Sequence, residues 1–418
     1  MRPIITAIIR PVQCFKFTSI VAVAVLTIAL AGCGGNSSSS SKTPTSGIKK
    51  RVLVSNQQTG VVAIVDGAHD VLSTFSINVS SPSKMVTLGG STAVIDANSD
   101  LFTSIDNSTE QASETAITGD RVVDVAVSKD GNTAYGAVRN VASLVLLNTT
   151  NGSASAISVP SVSRLVLSPN GTKLLAFVDD PNLLAAPNTG GFFVIDTASQ
   201  TVKSVTGAQL DQPFTAVFNS SETQAFVLNC GAECNGTQAS VVSVDFSGAT
   251  PSFGTVVPVC GATTGLLSGS SLFVAGTPPV PPAGCPTGGS LQTVNTSSLA
   301  ASAPFQITDG KHLKMQMASN NRLYVASVAC TPMNDVSTGL VRGCLTIFNT
   351  SSSSSVFPEF STVRPGFDVT GIQPISNRNI VYVCEGGFLD IYDTTTDKLT
   401  PTQVDIVGLA FDVVQIDP

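Results

Sequence analysis

Apolar residues along most of this chain come in short runs rich in Val, Ile, Leu and Phe, and the runs come in pairs. The pairs are RVLVSN…VVAIVD (51–66), TAVIDAN…LFTSID (92–106), TAYGAV…SLVLLN (133–148) and KLLAFV…FFVID (173–196), followed by QAFVLN…SVVSVD (224–245), LFVAG…SLQTVN (272–295), RLYVAS…CLTIFN (322–349) and IVYVCE…FLDIYD (380–393). Runs this short and this β-branched, bounded by turn residues, predict strands. The spacing between pair starts is 40 or 41 residues at first and later 48 to 58. A strand ending in a turn precedes some pairs, as in DVAVSKDGN (124–132) and RLVLSPNGT (164–172). Their Asp-Gly and Asn-Gly steps suit tight hairpins because these residues tolerate positive φ. A fourth strand follows, such as TVKSVTG (201–207) or TVVPVC (255–260).

Units of this length, four strands each and without a long amphipathic helix, predict an all-β fold, the β-propeller. The count is eight blades, or seven if one of the weaker units (92–106 or 272–295) is irregular. The first unit begins at its second strand, and LAFDVVQIDP (409–418) reads as an inner strand with no partners after it. The C-terminal strand is therefore expected to complete the first blade and remove an open sheet edge.

The segments SPNGTKLLAFV (168–178), RLYVAS (322–327) and RVLVSN (51–56) resemble the YVTN-type repeat of secreted β-propellers. The resemblance covers most of 51–418 in degenerate form and implies a propeller. Functions in that family are mixed, so function has to come from the site. Some members are lactonase-like, but no set of acidic and His residues here matches such a site. Eight-bladed lipoproteins of outer-membrane assembly resemble Trp-containing repeats, and this chain has no Trp.

The N-terminus reads as an export signal. Arg2, Arg10 and Lys16 precede the apolar run 20–30, which at eleven residues is shorter than the roughly 20 needed to span a bilayer. Leu30-Ala31-Gly32-Cys33 resembles a bacterial lipobox, which implies cleavage after residue 32 and lipidation of Cys33. Residues 33–50 then form a Ser/Gly-rich tether, and 51–418 a single propeller domain. Gly34 stands where Asp would favour inner-membrane retention, so the expected address is the cell envelope, lipid-anchored, at the outer membrane.

Composition narrows the partners. Only 12% of the 418 residues are charged and the net charge is −7, which excludes a disordered chain and argues against nucleic acid. Seven cysteines follow Cys33. In an oxidising compartment they are expected to pair as Cys230–Cys234, Cys260–Cys285 and Cys330–Cys344, leaving Cys384 as a buried thiol; spacing alone does not fix this, and zinc is the rival reading. The Asp-rich spots lack EF-hand spacing. No catalytic motif is present, and the two histidines, His69 and His312, read as ordinary turn or channel residues.

Two constellations remain. The loops between second and third strands are long in units four to seven: 179–190, 230–238, 277–289 and 328–343. In a propeller these share one face, so Asp179, Asp180, Asn182, Asn334, Asp335 and Arg342 are candidate rim residues. Aligning the inner strands gives a polar column of Asp412, Lys84, Asp124, Arg164, Thr215, Thr264, Lys314 and Thr370. It is expected to ring the central channel, either as mutually satisfied charges or as a small-ligand pocket. The sequence thus favours a non-enzymatic binding or scaffold module for a protein or envelope polysaccharide, without cofactor or metal. The alternative is a lactonase-like or other hydrolase at the channel mouth, near His312, Lys314 and Asp368.

Overall fold

The computed structural model describes residues 45–117, 121–138, 141–160, 162–178, 190–248, 250–335, 340–360 and 367–418. The expected signal segment, Cys33 and most of the expected tether lie outside them, as do Asp179, Asp180 and Asn182. The described residues form eight four-stranded antiparallel blades in a ring. Both weaker units are complete, so the count is eight rather than seven.

Burial explains the repeat. In each blade the second and third strands lie between two neighbouring blades, and Arg51–Asn56 and Gln224–Asn229 are buried along almost their whole length. The fourth strands face solvent and alternate, as in Gln111–Ala116. The core consequently has no single centre. It divides into eight apolar seams, one between each pair of neighbouring blades. Alternation within a strand assigns residues to seams: Val52 and Val54 pack towards blade 8, while Leu53 packs towards blade 2.

The ring closes as the sequence predicts. Ala410–Gln415 pairs antiparallel with Arg51–Asn56, Leu53 opposite Val414 and Val54 opposite Val413. A clamp the sequence did not announce locks this junction. Buried Arg51 donates from Nε and Nη2 to the two Asp417 oxygens at 2.7 and 2.9 Å, and from Nη1 to Glu110 at 3.2 Å. Blades 1 and 2 and the C-terminal strand thereby share one guanidinium.

Candidate functional site

Hydrogen bonds identify the faces. Asn98, between the second and third strands of blade 2, donates to Ser81 Oγ in the connection from blade 1 at 2.6 Å. The backbone N–H groups of Thr237 and Gln238 in blade 5 donate to Asp211 at 2.9 and 2.8 Å, and that of Thr331 in blade 7 donates to Asp309 at 2.6 Å. Inner loops and blade-to-blade connections therefore share one face. The opposite face carries pairs such as Arg378–Asp70 and Arg322–Asp397.

All three disulfides lie on the first face: Cys230–Cys234 within the blade 5 loop, Cys260–Cys285 joining the blade 5–6 connection to the blade 6 loop, and Cys330–Cys344 in the blade 7 loop. Cys384 keeps its thiol, buried in a second strand, and burial pushes its pKa up. The blade 7 insertion also builds structure of its own. Met333–Asp335, which carries Asn334 and Asp335, pairs with Leu340–Arg342, and the latter pairs with Glu359–Phe360 in the connection to blade 8. Arg342 turns its guanidinium back onto the Phe357 carbonyl.

Six of the eight column residues line the channel, and one of those six sits out of register. In blades 1, 3, 5 and 7 a β-bulge inserts one extra residue just before the column position, so Asp412, Asp124, Thr215 and Lys314 each pair with the fifth residue of the next strand. In blade 8 the extra residue is Thr370 itself, and Gly371 pairs with Cys384 in that register. Thr370 lines the cavity as the bulged residue, while Gly371 holds the place in the column.

That glycine has a purpose. A Cβ at Gly371 would lie 2.9 Å from Asp412 Cα and 3.1 Å from Asp412 Oδ1. Lys314 of blade 7 reaches across blade 8 to Asp412 of blade 1, at 2.8 Å. Asp412 also accepts the Met85 N–H of blade 2 at 2.9 Å. The same device recurs two blades on, where Asp124 takes the Lys84 ammonium and accepts the Leu165 N–H of blade 4 at 2.8 Å. Arg164 stacks 3.6 Å above the Phe214 ring. The ring charges are thus tied to one another and to backbone donors, as expected for charges that carry structure.

A cavity of about 790 Å³ occupies the channel, lined in part by Lys84, Asp124, Arg164, Lys314, Thr370 and Asp412. Thr215 and Thr264 do not line it. His312 does not open into it either. Fully buried, it places Nε2 3.0 Å from the Thr308 carbonyl and Nδ1 3.5 Å from Thr277 Oγ1. Asp368 accepts the Ala329 N–H at 2.6 Å. His69 pairs with Asp66 at a turn. Of His312, Lys314 and Asp368, Lys314 alone lines the cavity. Among the described residues, no group of three or more His, Cys, Asp or Glu stands close enough to hold a metal.

Sequence reasoning missed a buried polar link under the insertion face. Glu233, in the turn Gly231–Cys234, accepts the Thr277 N–H of blade 6 at 2.8 Å, and the Thr277 hydroxyl approaches His312 of blade 7. Burial pushes the Glu233 carboxyl up to about 7 and holds the His312 imidazole down to about 4. Their linkages oppose each other. The Glu233 contribution is present below its ordinary value of 4.5 and is lost as pH rises to about 7. The His312 contribution is present above 6.5 and is lost as pH falls to about 4. Glu233→Gln removes the first and exposes the second. Unfolding midpoints in urea should show the variant losing about 3 kcal/mol between neutral and acid pH, while the unmodified protein stays much flatter. Matching profiles would refute the opposition.

No protein-family model and no curated protein matches the sequence. Among solved structures, the chain is similar to apo AztD from Citrobacter koseri at 12% identity and TM-score 0.58, over 88% of this chain and 97% of that one. It is also similar to the dihydro-heme d1 dehydrogenase NirN in complex with DHE, at 12% identity and TM-score 0.64, over 89% of this chain and 78% of that one. At such identities the likeness establishes the β-propeller fold and leaves the chemistry to the residues of this chain.

Proposed function

We propose that the chain is a lipid-anchored, extracytoplasmic β-propeller that acts without catalysis, binding a protein or envelope polymer through the insertion face of blades 4 to 7. The observation that carries this reading is the one-sidedness of the elaboration. All three disulfides and the extra three-stranded sheet belong to that face. Stiffening surface loops in this way lowers the entropy lost when a partner orders them. The disulfides also fit an oxidising compartment, as the lipobox at Cys33 implies. The buried position of His312 counts against a His-dependent hydrolase.

The test is photo-crosslinking in cells from Val280, a highly exposed residue of the blade 6 insertion, with Asn151 in a turn on the opposite face as control. A discrete adduct, protein or glycan, from Val280 and none from Asn151 is the expected result. Equal labelling from both positions, or none from Val280, would overturn the proposal.

A further inference from the structure

The channel cavity has a layered chemistry that charge pairing alone does not require. The bulges each put an extra residue one step nearer the insertion face than the column. In blades 1, 3 and 7 that residue is apolar (Phe411, Val123 and Leu313), and all three line the cavity together with the polar Ser83 and Thr370 of blades 2 and 8, whose inner strands also shift register there. Leu313 is 42% exposed although it belongs to an innermost strand. Directly beneath come Lys84 and Lys314, whose side chains remain 47% and 24% exposed after pairing.

Charge adds a second observation. The cavity lining holds four cations (Lys84, Arg121, Arg164, Lys314) against three carboxylates (Asp96, Asp124, Asp412), in a chain of net charge −7. Two of those carboxylates are already engaged on both oxygens. Asp124 takes Lys84 and the Leu165 N–H, and Asp412 takes Lys314, the Met85 N–H and the Val413 N–H. Each ammonium has three donors and spends one on its partner carboxylate. The volume lies within the range of small-molecule sites, where apolar walls and a few convergent polar groups fix a ligand.

We propose that the channel mouth binds a small organic anion: a carboxylate on an aliphatic or aromatic body. The anionic head meets Lys84 and Lys314, and the body lies against Phe411, Val123 and Leu313. This site is separate from the insertion loops, and either assignment stands without the other.

The probe is 1-anilinonaphthalene-8-sulfonate, an apolar anion whose fluorescence rises in apolar surroundings, with octanoate and octylammonium as competitors. Saturable binding is expected, with displacement by octanoate and not by octylammonium. Lys84→Gln and Leu313→Glu should each weaken it by about tenfold. Lys84→Gln leaves Asp124 without its ammonium and should lower the thermal midpoint, so binding is compared at a temperature below every variant's transition; if Leu313→Glu fails to fold, Lys84→Gln decides. Displacement by octylammonium, absence of saturable binding, or affinity unchanged in a folded variant would overturn the proposal.

Discussion

A chain ending at Gly408 is expected to show no cooperative thermal transition and to collect in the aggregated fraction. The truncation removes Ala410–Gln415 and with it the buried side chains of Val413 and Val414, each worth about 1.5–3 kcal/mol of burial. It leaves Arg51–Asn56, buried along its whole length, as an unpaired edge. It also strips Asp417 from Arg51, whose guanidinium sits in a nearly closed site beside Glu110. Taken together with the stranded Arg51 and the open edge, these losses are of the same order as the roughly 5–15 kcal/mol by which a domain is stable. Circular dichroism melts and sedimentation check the outcome. A synthetic peptide of residues 409–418 supplied in trans should restore part of the transition, because the vacated edge is a ready strand acceptor. A truncated chain that still melts cooperatively near the parent temperature would refute this account of closure.

Asp412→Ala is expected to destabilise the ring by about 3–5 kcal/mol, as for removing one partner of a buried pair. Asp412 is 3% exposed and is the place where blades 1, 2 and 7 meet. The substitution strands the Lys314 ammonium across blade 8 and leaves the Met85 N–H without its acceptor. Adding Lys314→Met should recover a substantial part of the loss, because the uncompensated charge goes with it. A double-mutant cycle in denaturant measures this directly. If Asp412→Ala changes stability by less than 1 kcal/mol, the column is not structural, and the second substitution should then add its own cost.

The two residues also show where sequence reading reaches its limit. Blade number, the closing strand and the one-sided cysteines were legible, because each leaves a linear trace: the period of the strand pairs, an orphan apolar run at the end, and loops of unequal length. The column was legible to within one residue. Counting along an inner strand cannot see a bulge, which is a property of pairing. Such counting therefore puts Thr370 where Gly371 belongs. A trace was present even so, since a glycine inside a strand pattern signals a bulge or a close backbone approach. The Glu233–Thr277–His312 link had no such trace. It joins loops and strands of three blades, and nothing in the spacing of those residues brings them together. The Arg51 clamp was hidden for the same reason, its partners lying 59 and 366 residues away.

Ring closure has a consequence for how the chain is made. Ser55 and its partner Asp412 are 357 residues apart. At about 5–20 residues per second the ribosome needs roughly 20–70 s to cover that distance. Through that interval the first blade is synthesised but not closed, and its free edge can recruit any passing strand. The nascent chain therefore exposes that edge for longer than a chain built from local contacts would. The same delay has another side: until Ala410–Gln415 is made no ring can lock, and the eight blades stay free to splay apart.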